Sequence, residues 1–534
     1  MENGMNVTEL LIPKPVHVAV LDGRAFTLGG ATRISATGAA VPVAGHLASF
    51  LRRATGHELP LVSDFRPGDV ALELTRTFDG GPEAYALTVT DAGARVRADT
   101  PAGLFNGIQT LRQLFDPAIE APPAGPVRNP DRQRDWTVPA VEIKDAPRFR
   151  YRGLMLDVAR SFFTVAEVKE QIDVMAQLKF NALHLHLTDD QAWRIEIHEP
   201  ENNPSGLEYA NLTAVGGAVN HPGVGLTPGR TGFYTQKDYQ DIQAYAAARN
   251  IAVVPEIDLP GHVNAALAAV PRLNPDGRAK PMNATGEVGY STLSADLPAT
   301  YEFVSEVLGQ VAAITDGPYL HIGGDEAHVT GHENYLAMVR EFARIGAATG
   351  KTVVGWNEAA EADLPDGSVV QYWFGDFGQV LNKAEEGTAK VIMSPADRTY
   401  LDQKYDSTSP IGLSWVDGGP FTWSEYYQWN PAQGGLEDQH ILGVEGPLWT
   451  ETVRGNRQAY WLLYPRAVSL AEVAWSPQEA RGLGDFRRRL GGFGERLANQ
   501  GVTFQPAADV EWSATPADPF TEPNNTTEYG TIEA

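Results

Sequence analysis

From Tyr151 to Glu451 one feature constrains the fold more than any other. Short apolar runs, nearly all ending in Asp, Glu, His, Trp or Arg, alternate with amphipathic segments at helical spacing. The runs are RGLMLDVA, ALHLHLTDD, IAVVPEIDL, YLHIGGDE, TVVGWNE, VVQYWF, KVIMSPA and ILGVEGPLWTE, with segments such as TVAEVKEQIDVMAQLKF, QKDYQDIQAYAAARN and ENYLAMVREFARIGAAT between them. Strand-length runs alternating with helices are the signature of βα units on a parallel sheet. Eight such units close naturally into a (β/α)8 TIM barrel, an α/β fold whose catalytic residues sit at the C-terminal ends of the strands. The polar endings agree with that placement, because packing alone gives the outer ends of barrel strands no use for carboxylates.

The residues before the barrel follow another rhythm. VALELTRTFDGGPEAYALTVTDAGARVRADT alternates apolar and polar residues around Gly-bearing turns, predicting neighbouring strands of an antiparallel sheet, while VPVAGHLASFLRRATG and PAGLFNGIQTLRQLFDP predict two helices. The expected organisation is a small α+β accessory domain with linker over residues 1–145, the barrel over 146–505, and an acidic, mobile tail over 506–534. The Pro-rich stretch PAIEAPPAGPVRNPDRQRDW reads as connecting loop. With 67 acidic against 42 basic residues the net charge is -25, which repels phosphate backbones and anionic lipid and argues against nucleic acid or a membrane surface as partner. No run approaches the roughly 18 apolar residues of a membrane span, and MENGMNVTELLIPKP has neither a basic nor an apolar leader region. The expectation is a soluble protein, cytoplasmic as written or secreted if a leader has been removed. With no cysteine there is no disulfide or thiol chemistry.

The chemistry-bearing residues cluster at the run ends. YLHIGGDEAH places Asp325 and Glu326 side by side, and strand neighbours point to opposite faces. Two adjacent carboxylates therefore share one ligand only where the strand frays into its loop. VPEIDLPGH ends in His262, and HLHLTDD sets His184 and His186 on one strand face ahead of Asp189 and Asp190. Imidazole with carboxylate suits zinc, which leaves a metal site open. A metallohydrolase needs further His or Lys ligands on later strands, however, where Trp356, Trp373, Trp415 and Trp449 stand instead. Indole faces stack on the C–H faces of sugar rings, so carboxylates, tryptophans and Arg160 at one barrel mouth point to carbohydrate chemistry.

RGLMLDVARSFF, LHLHLTDDQAWRI, VPEIDLPGH, HIGGDEAH, VVGWNE, SPADRTYLD and GVEGPLWTE, in that order and spacing across residues 10–505, resemble the β-N-acetylhexosaminidases of glycoside hydrolase family 20. The resemblance implies a retaining, exo-acting enzyme that removes terminal β-linked GlcNAc or GalNAc from chito-oligosaccharides and other N-acetylhexosaminides. The nucleophile is the substrate's own acetamido group, by way of an oxazolinium intermediate, an exception to the usual two-carboxylate arrangement. A disaccharide-releasing, lacto-N-biosidase-like relative on the same scaffold is the alternative. By the family's pattern Glu326 is the general acid and later base, and Asp325 orients the acetamido group. His262 and Asp189 form a dyad behind Glu326. Arg160 and Glu451 bind the terminal sugar's hydroxyls, Asp402 binds outer hydroxyls with help from Trp356, and Tyr400 bonds the acetamido oxygen. Trp356, Trp373 and Trp449 box the acetamido methyl, and Trp415 stacks the next residue along. Carbohydrate is the implied partner, with no metal and no cofactor; oligomeric state is left open. Two departures stand out: Ala192 in DQAWRI, where Gly is common, and a long Gly/Pro/Asn-rich loop after WRIEI, expected to shape the far side of the cleft.

Overall fold

In the computed structural model, which describes residues 7, 10–76, 79–121, 135–218, 229–283 and 285–520, the eight runs form one closed parallel barrel. Its strands are Tyr151–Asp157, Ala182–His186, Ala252–Glu256, Tyr319–His321, Thr352–Trp356, Ser368–Tyr372, Ala389–Met393 and Ile441–Leu448, each paired in parallel with the next and the last with the first. Leu154, Leu156, Leu183 and Leu185 are buried in the main core, whereas Tyr151, Ala182, Val254, Val354, Val369 and Ile392 form a separate apolar cluster. The helices start where the sequence supplies caps. Thr164 accepts from the Glu167 N–H while Glu167 accepts from Thr164, which satisfies two of the four amides that a helix start leaves unpaired.

The accessory domain is a seven-stranded sheet with helices Val41–Thr55 and Pro101–Leu114. Its order is His17–Val20, Val141–Asp145, Tyr85–Thr90, Gly93–Ala98, Asp69–Leu74, Ile34–Ala36, Leu61–Val62. The first three pairings are antiparallel and the rest parallel. Asp69–Leu74 thus pairs with Gly93–Ala98, and Tyr85–Thr90 lies on that strand's far side. The domain is fastened to the barrel by buried charges. Asp145 accepts from Lys179 Nζ at 3.1 Å, from the Tyr85 hydroxyl at 2.7 Å and from the Trp475 indole at 3.0 Å. Glu120 accepts from Arg112 Nε at 2.8 Å, Gln177 at 3.0 Å and Arg496 at 3.3 Å.

The expected mobile tail is packed over its first residues. Ala507 and Val510 are buried, the Trp512 ring lies 4.6 Å from Phe504, and Ser513 N–H bonds Gly491 O at 3.0 Å. The apolar residues among the acidic ones dock it on the last barrel helix, Leu483–Asn499. Most of the Pro-rich linker (122–134), the end of the tail (521–534) and part of the long loop (219–228) lie outside the described residues. The loop's two ends are tied together by the buried guanidinium of Arg194, which donates to Gly217 O at 2.6 Å and Gly232 O at 2.7 Å. Ala192 is buried, and its carbonyl accepts from Asp189 N–H at 2.9 Å. No helix among the described residues is long and apolar enough to cross a membrane.

Candidate active site

The fourth strand is only three residues long, and the acidic pair stands four residues beyond its end rather than closing it. Between them Gly323 and Gly324 take φ of 68° and 110°, and Glu326 itself sits at φ 46°. Gly323 has no substitute, because a Cβ there would lie 1.7 Å from Asp258 Oδ1. This left-handed path lifts the strand's alternation and turns both carboxylates toward one imidazole: His262 Nε2 is 3.6 Å from Asp325 Oδ2 and 3.4 Å from Glu326 Oε2. His262 also adopts positive φ, 53°. Non-glycine residues held there cost of order 1–3 kcal/mol each, a strain that collects at functional sites.

Burial and charge set the two acids apart. Asp325 is buried, and burial pushes its pKa up to about 6, with His262 pulling the other way and Glu326 adding to the rise. The Glu326 side chain is 24% exposed. Behind them His262 Nδ1 meets Asp189 Oδ1 at 3.1 Å. Burial disfavours a charged imidazole here, but Asp189, Asp325 and Asp258 outweigh it and hold His262 well above its ordinary pKa. Asp189 is also buried, yet Arg160, 2.8 Å from its Oδ2, and His262 keep it well below the carboxylate range.

The aromatic residues gather around the acids. Trp373 stacks on Tyr400 at 6.0 Å and 19°, Trp415 meets both edge-on at 6.0 and 5.7 Å, and Trp449 lies 6.3 Å from Tyr400 and 6.1 Å from Trp356. They do not share one rim. Trp415 is 44% exposed, Trp373 and Trp449 are partly buried, and Trp356 is fully buried. The Trp356 indole N–H is spent on Glu256 Oε1 at 2.7 Å, which leaves its ring faces for a ligand. Arg160 is buried against Trp449, its guanidinium carbon 5.1 Å from that ring. Its Nε donates to Gln191 at 2.7 Å and Nη1 to Asp157 at 3.4 Å, while Nη2 forms an ion pair with Asp189 at 2.8 Å, so the guanidinium keeps N–H groups for a ligand. Asp325 Oδ1, Asp402 Oδ1 and Glu451 Oε2 are buried acceptors with no partner among the described residues. Native structures seldom leave such groups unmatched away from a functional site, and three such acceptors suit a ligand rich in O–H and N–H donors.

The His-x-His pair is used up inside the barrel. His184 bridges Glu445 (2.9 Å) and Glu256 (3.1 Å), and His186 bridges Glu256 (2.5 Å) and Asp189 (2.7 Å). A ring nitrogen that donates to a carboxylate has no lone pair for a metal. Among the described residues four donor triads have ligand atoms within 4.8 Å; His184, His186 and Asp189 in them are spent on hydrogen bonds, whereas Asp258 Oδ2, His262 Nε2 and Asp325 Oδ1 of one triad are not. Asp190 holds a loop instead, accepting from Asn264 N–H at 2.9 Å and from the Ser291 hydroxyl. Three acids near the pair drew no notice in the sequence: Glu256, Asp258 and Glu358. The first two stand inside VPEIDLPGH, where an acid in an otherwise apolar strand was itself the signal. Glu358 accepts from the Trp373 indole at 3.0 Å, and burial, followed by the charge of Asp325, pushes it up to about 8.

Residues 149–478 match the model for glycosyl hydrolase family 20, catalytic domain, and residues 9–146 match the model for domain 2 of that family. The β-N-acetylhexosaminidase of Cellulomonas fimi is 38% identical over 510 residues, 94% of this chain and 97% of that protein. The solved structure of the GH20 β-N-acetylhexosaminidase from Streptomyces coelicolor A3(2) matches with a TM-score of 0.86 at 40% identity, covering 95% of this chain and 99% of that one. The Streptomyces plicatus N-acetyl-β-hexosaminidase in complex with Thio-NAglucal matches equally well, with a TM-score of 0.86, 40% identity and coverage of 95% and 98%.

Proposed function

Since the chain belongs to glycosyl hydrolase family 20, we propose that it is a retaining exo-β-N-acetylhexosaminidase that removes terminal β-linked GlcNAc or GalNAc with the substrate's acetamido group as nucleophile. The observation that carries this reading is the sharing of His262 Nε2 by two adjacent acids, one buried and one reachable from solvent. Two carboxylates on one residue pair cannot flank a glycosidic bond from opposite sides, as nucleophile and acid must in most glycosidases. They can serve two atoms of one sugar.

Glu326 gives its proton to the departing glycosidic oxygen while the acetamido oxygen attacks C1 from the opposite face. Asp325 Oδ1 accepts the acetamido N–H, orients the oxygen and offsets the positive charge of the oxazolinium ion as it forms. Tyr400 holds the acetamido oxygen, and Trp356, Trp373 and Trp449 enclose the methyl. Water, deprotonated by Glu326, then opens the oxazolinium at C1, and two inversions give net retention. The tethered nucleophile carries a large entropic advantage, with effective molarities that can reach about 10⁵ M. Arg160, Asp402 and Glu451 close the far end of the pocket with buried polar groups, which suits a single terminal sugar. The test is a panel of p-nitrophenyl glycosides with product analysis. Brisk hydrolysis of a β-glucoside lacking the acetamido group would contradict substrate assistance, as would a sugar trapped covalently on the chain.

A further inference from the structure

Glu256 is a fully buried carboxylate with no place in the chemistry above, yet four side chains converge on it. Its Oε1 accepts from the Trp356 indole at 2.7 Å and lies 3.2 Å from His321 Nδ1. Its Oε2 contacts His184 at 3.1 Å and His186 at 2.5 Å. From Oε2 an unbroken run of hydrogen bonds leads through His186 and Asp189 to His262, whose Nε2 faces Glu326. On the other side it leads through His184 to Glu445, which also accepts from Gln371 at 2.7 Å and from the Tyr151 hydroxyl. We infer that Glu256 is a positioning residue that couples the indole wall of the acetamido pocket to the proton-transfer pair His262–Glu326. This inference rests on the reading of Glu326 as general acid.

The protonation pattern follows from geometry. His184 and His186 each lie between two carboxylates, and carboxylates only accept, so each ring donates from both nitrogens and is an imidazolium. Acids and imidazoles therefore alternate in charge along Glu445, His184, Glu256, His186 and Asp189. His321 stays outside the alternation: its Nδ1 accepts from Gly323 N–H at 3.0 Å, and the ring stacks on His184 at 4.7 Å and 24°. Burial holds it below its ordinary pKa, whereas Glu445 and Glu256 hold His184 up to about 9 against burial. Asp258 and Asp325 are the other acids within reach of this centre. A neutral amide at 256 must turn an N–H toward one imidazole, which then gives up its own proton. The charge that orders Asp189, and through it His262, changes with it.

The test compares N,N′-diacetylchitobiose, whose leaving group needs a proton, with a dinitrophenyl N-acetyl-β-glucosaminide, whose leaving group does not. In Glu256→Gln, native by circular dichroism, kcat/KM for chitobiose is expected to fall roughly tenfold or more, with a clearly smaller loss on the aryl glycoside. Trp356→Phe keeps an aromatic ring, though a smaller one, and removes the N–H, and is expected to raise KM for both substrates without separating them. Equal losses in Glu256→Gln, or an unchanged KM in Trp356→Phe, overturn the coupling. Should Glu256→Gln fail to fold, His186→Gln carries the same comparison, and equal losses there overturn it too. Glu326→Gln separates the two levels of argument. If it also treats both substrates alike, the acid assignment itself has failed; if it alone separates them, only the role of Glu256 has.

Discussion

Two regions of this molecule bury charge, and they do it in opposite ways. At the domain seam every acid is matched: Asp145 has Lys179, Tyr85 and Trp475, and Glu120 has Arg112, Arg496 and Gln177. At the barrel mouth Asp325, Asp402 and Glu451 each keep an unmatched oxygen, and burial holds all three carboxyls above their ordinary pKa. Matched groups hold the chain together, because breaking a buried pair leaves a charge with neither water nor partner. Unmatched groups cost stability and wait for a substrate. The contrast predicts which substitutions harm rate and which harm folding.

The largest effect is expected from Glu326→Gln. Removing a general acid costs about 10²- to 10⁴-fold, so turnover of chitobiose should fall by that order, with a smaller loss on an activated aryl glycoside. The melting temperature should hold or rise, since Glu326 has no bond in the seam. A variant that lost stability along with activity would erase the distinction between the two regions.

Asp325→Asn comes next and tests both sides of the contrast. On the proposed mechanism Asp325 carries the charge that steadies the oxazolinium, and its loss should cost about 10²- to 10³-fold on every acetamido substrate, whatever its leaving group. The pH dependence has a definite sign. Asp325 is raised from 3.8 to about 6, so the folded state holds its proton over a range in which the unfolded chain has released it. Stability is therefore lost as pH climbs from about 4 to 6 and stays lost above that. In Asp325→Asn the fall in melting temperature over this window should shrink. Wild-type activity runs the other way, dropping below about pH 6 as Asp325 takes up a proton.

Lys179→Met attacks the matched region instead. Breaking a buried ion pair costs about 3–5 kcal/mol, and the low end is expected because Asp145 keeps Tyr85 and Trp475. Chemical denaturation should register the loss while kcat at a permissive temperature stays at the wild-type value. A fall in kcat would mean that the seam and the mouth are one system.

Much of this was legible in the sequence, for stated reasons. All eight barrel strands were marked by apolar runs, nearly every one with a polar end, and Asp325, Glu326, His262 and Asp189 stood in short motifs whose order alone placed them at one mouth. The accessory sheet order was not legible, because Tyr85–Thr90 joins Gly93–Ala98 across a tight turn while Asp69–Leu74 reaches the same strand from the other side. Nor was the role of Glu256. A run of acids and imidazoles crossing the barrel exists only once strand register sets Glu445 level with Ala182 and Glu256 level with His186, leaving His184 between the two acids, and nothing local in VPEIDL or GVEGPL encodes that. The tail misled through composition, since its acidic and Pro-bearing character hid the few apolar residues that dock it.

Trp415 offers the smallest effect and the sharpest edge to the comparison, because it belongs to the mouth without sharing in its buried charge. It stands 44% exposed beside Trp373, Tyr400 and Phe374, which it meets in T-shaped contacts, so much of its ring surface is open to a ligand. An aromatic contact of this kind is worth about 1 kcal/mol, or roughly fivefold in KM. If Trp415 stacks a sugar beyond the bond being cut, as the family's pattern implies, Trp415→Ala should raise KM for chito-oligosaccharides by about that factor and leave kcat near wild type. Stability should move by no more than about 0.5 kcal/mol, as for other exposed positions. A large loss of kcat would place Trp415 at the reacting sugar itself. The pocket would then end further out than the buried Arg160, Asp402 and Glu451 imply, and cleavage one sugar further along the chain would become the better account.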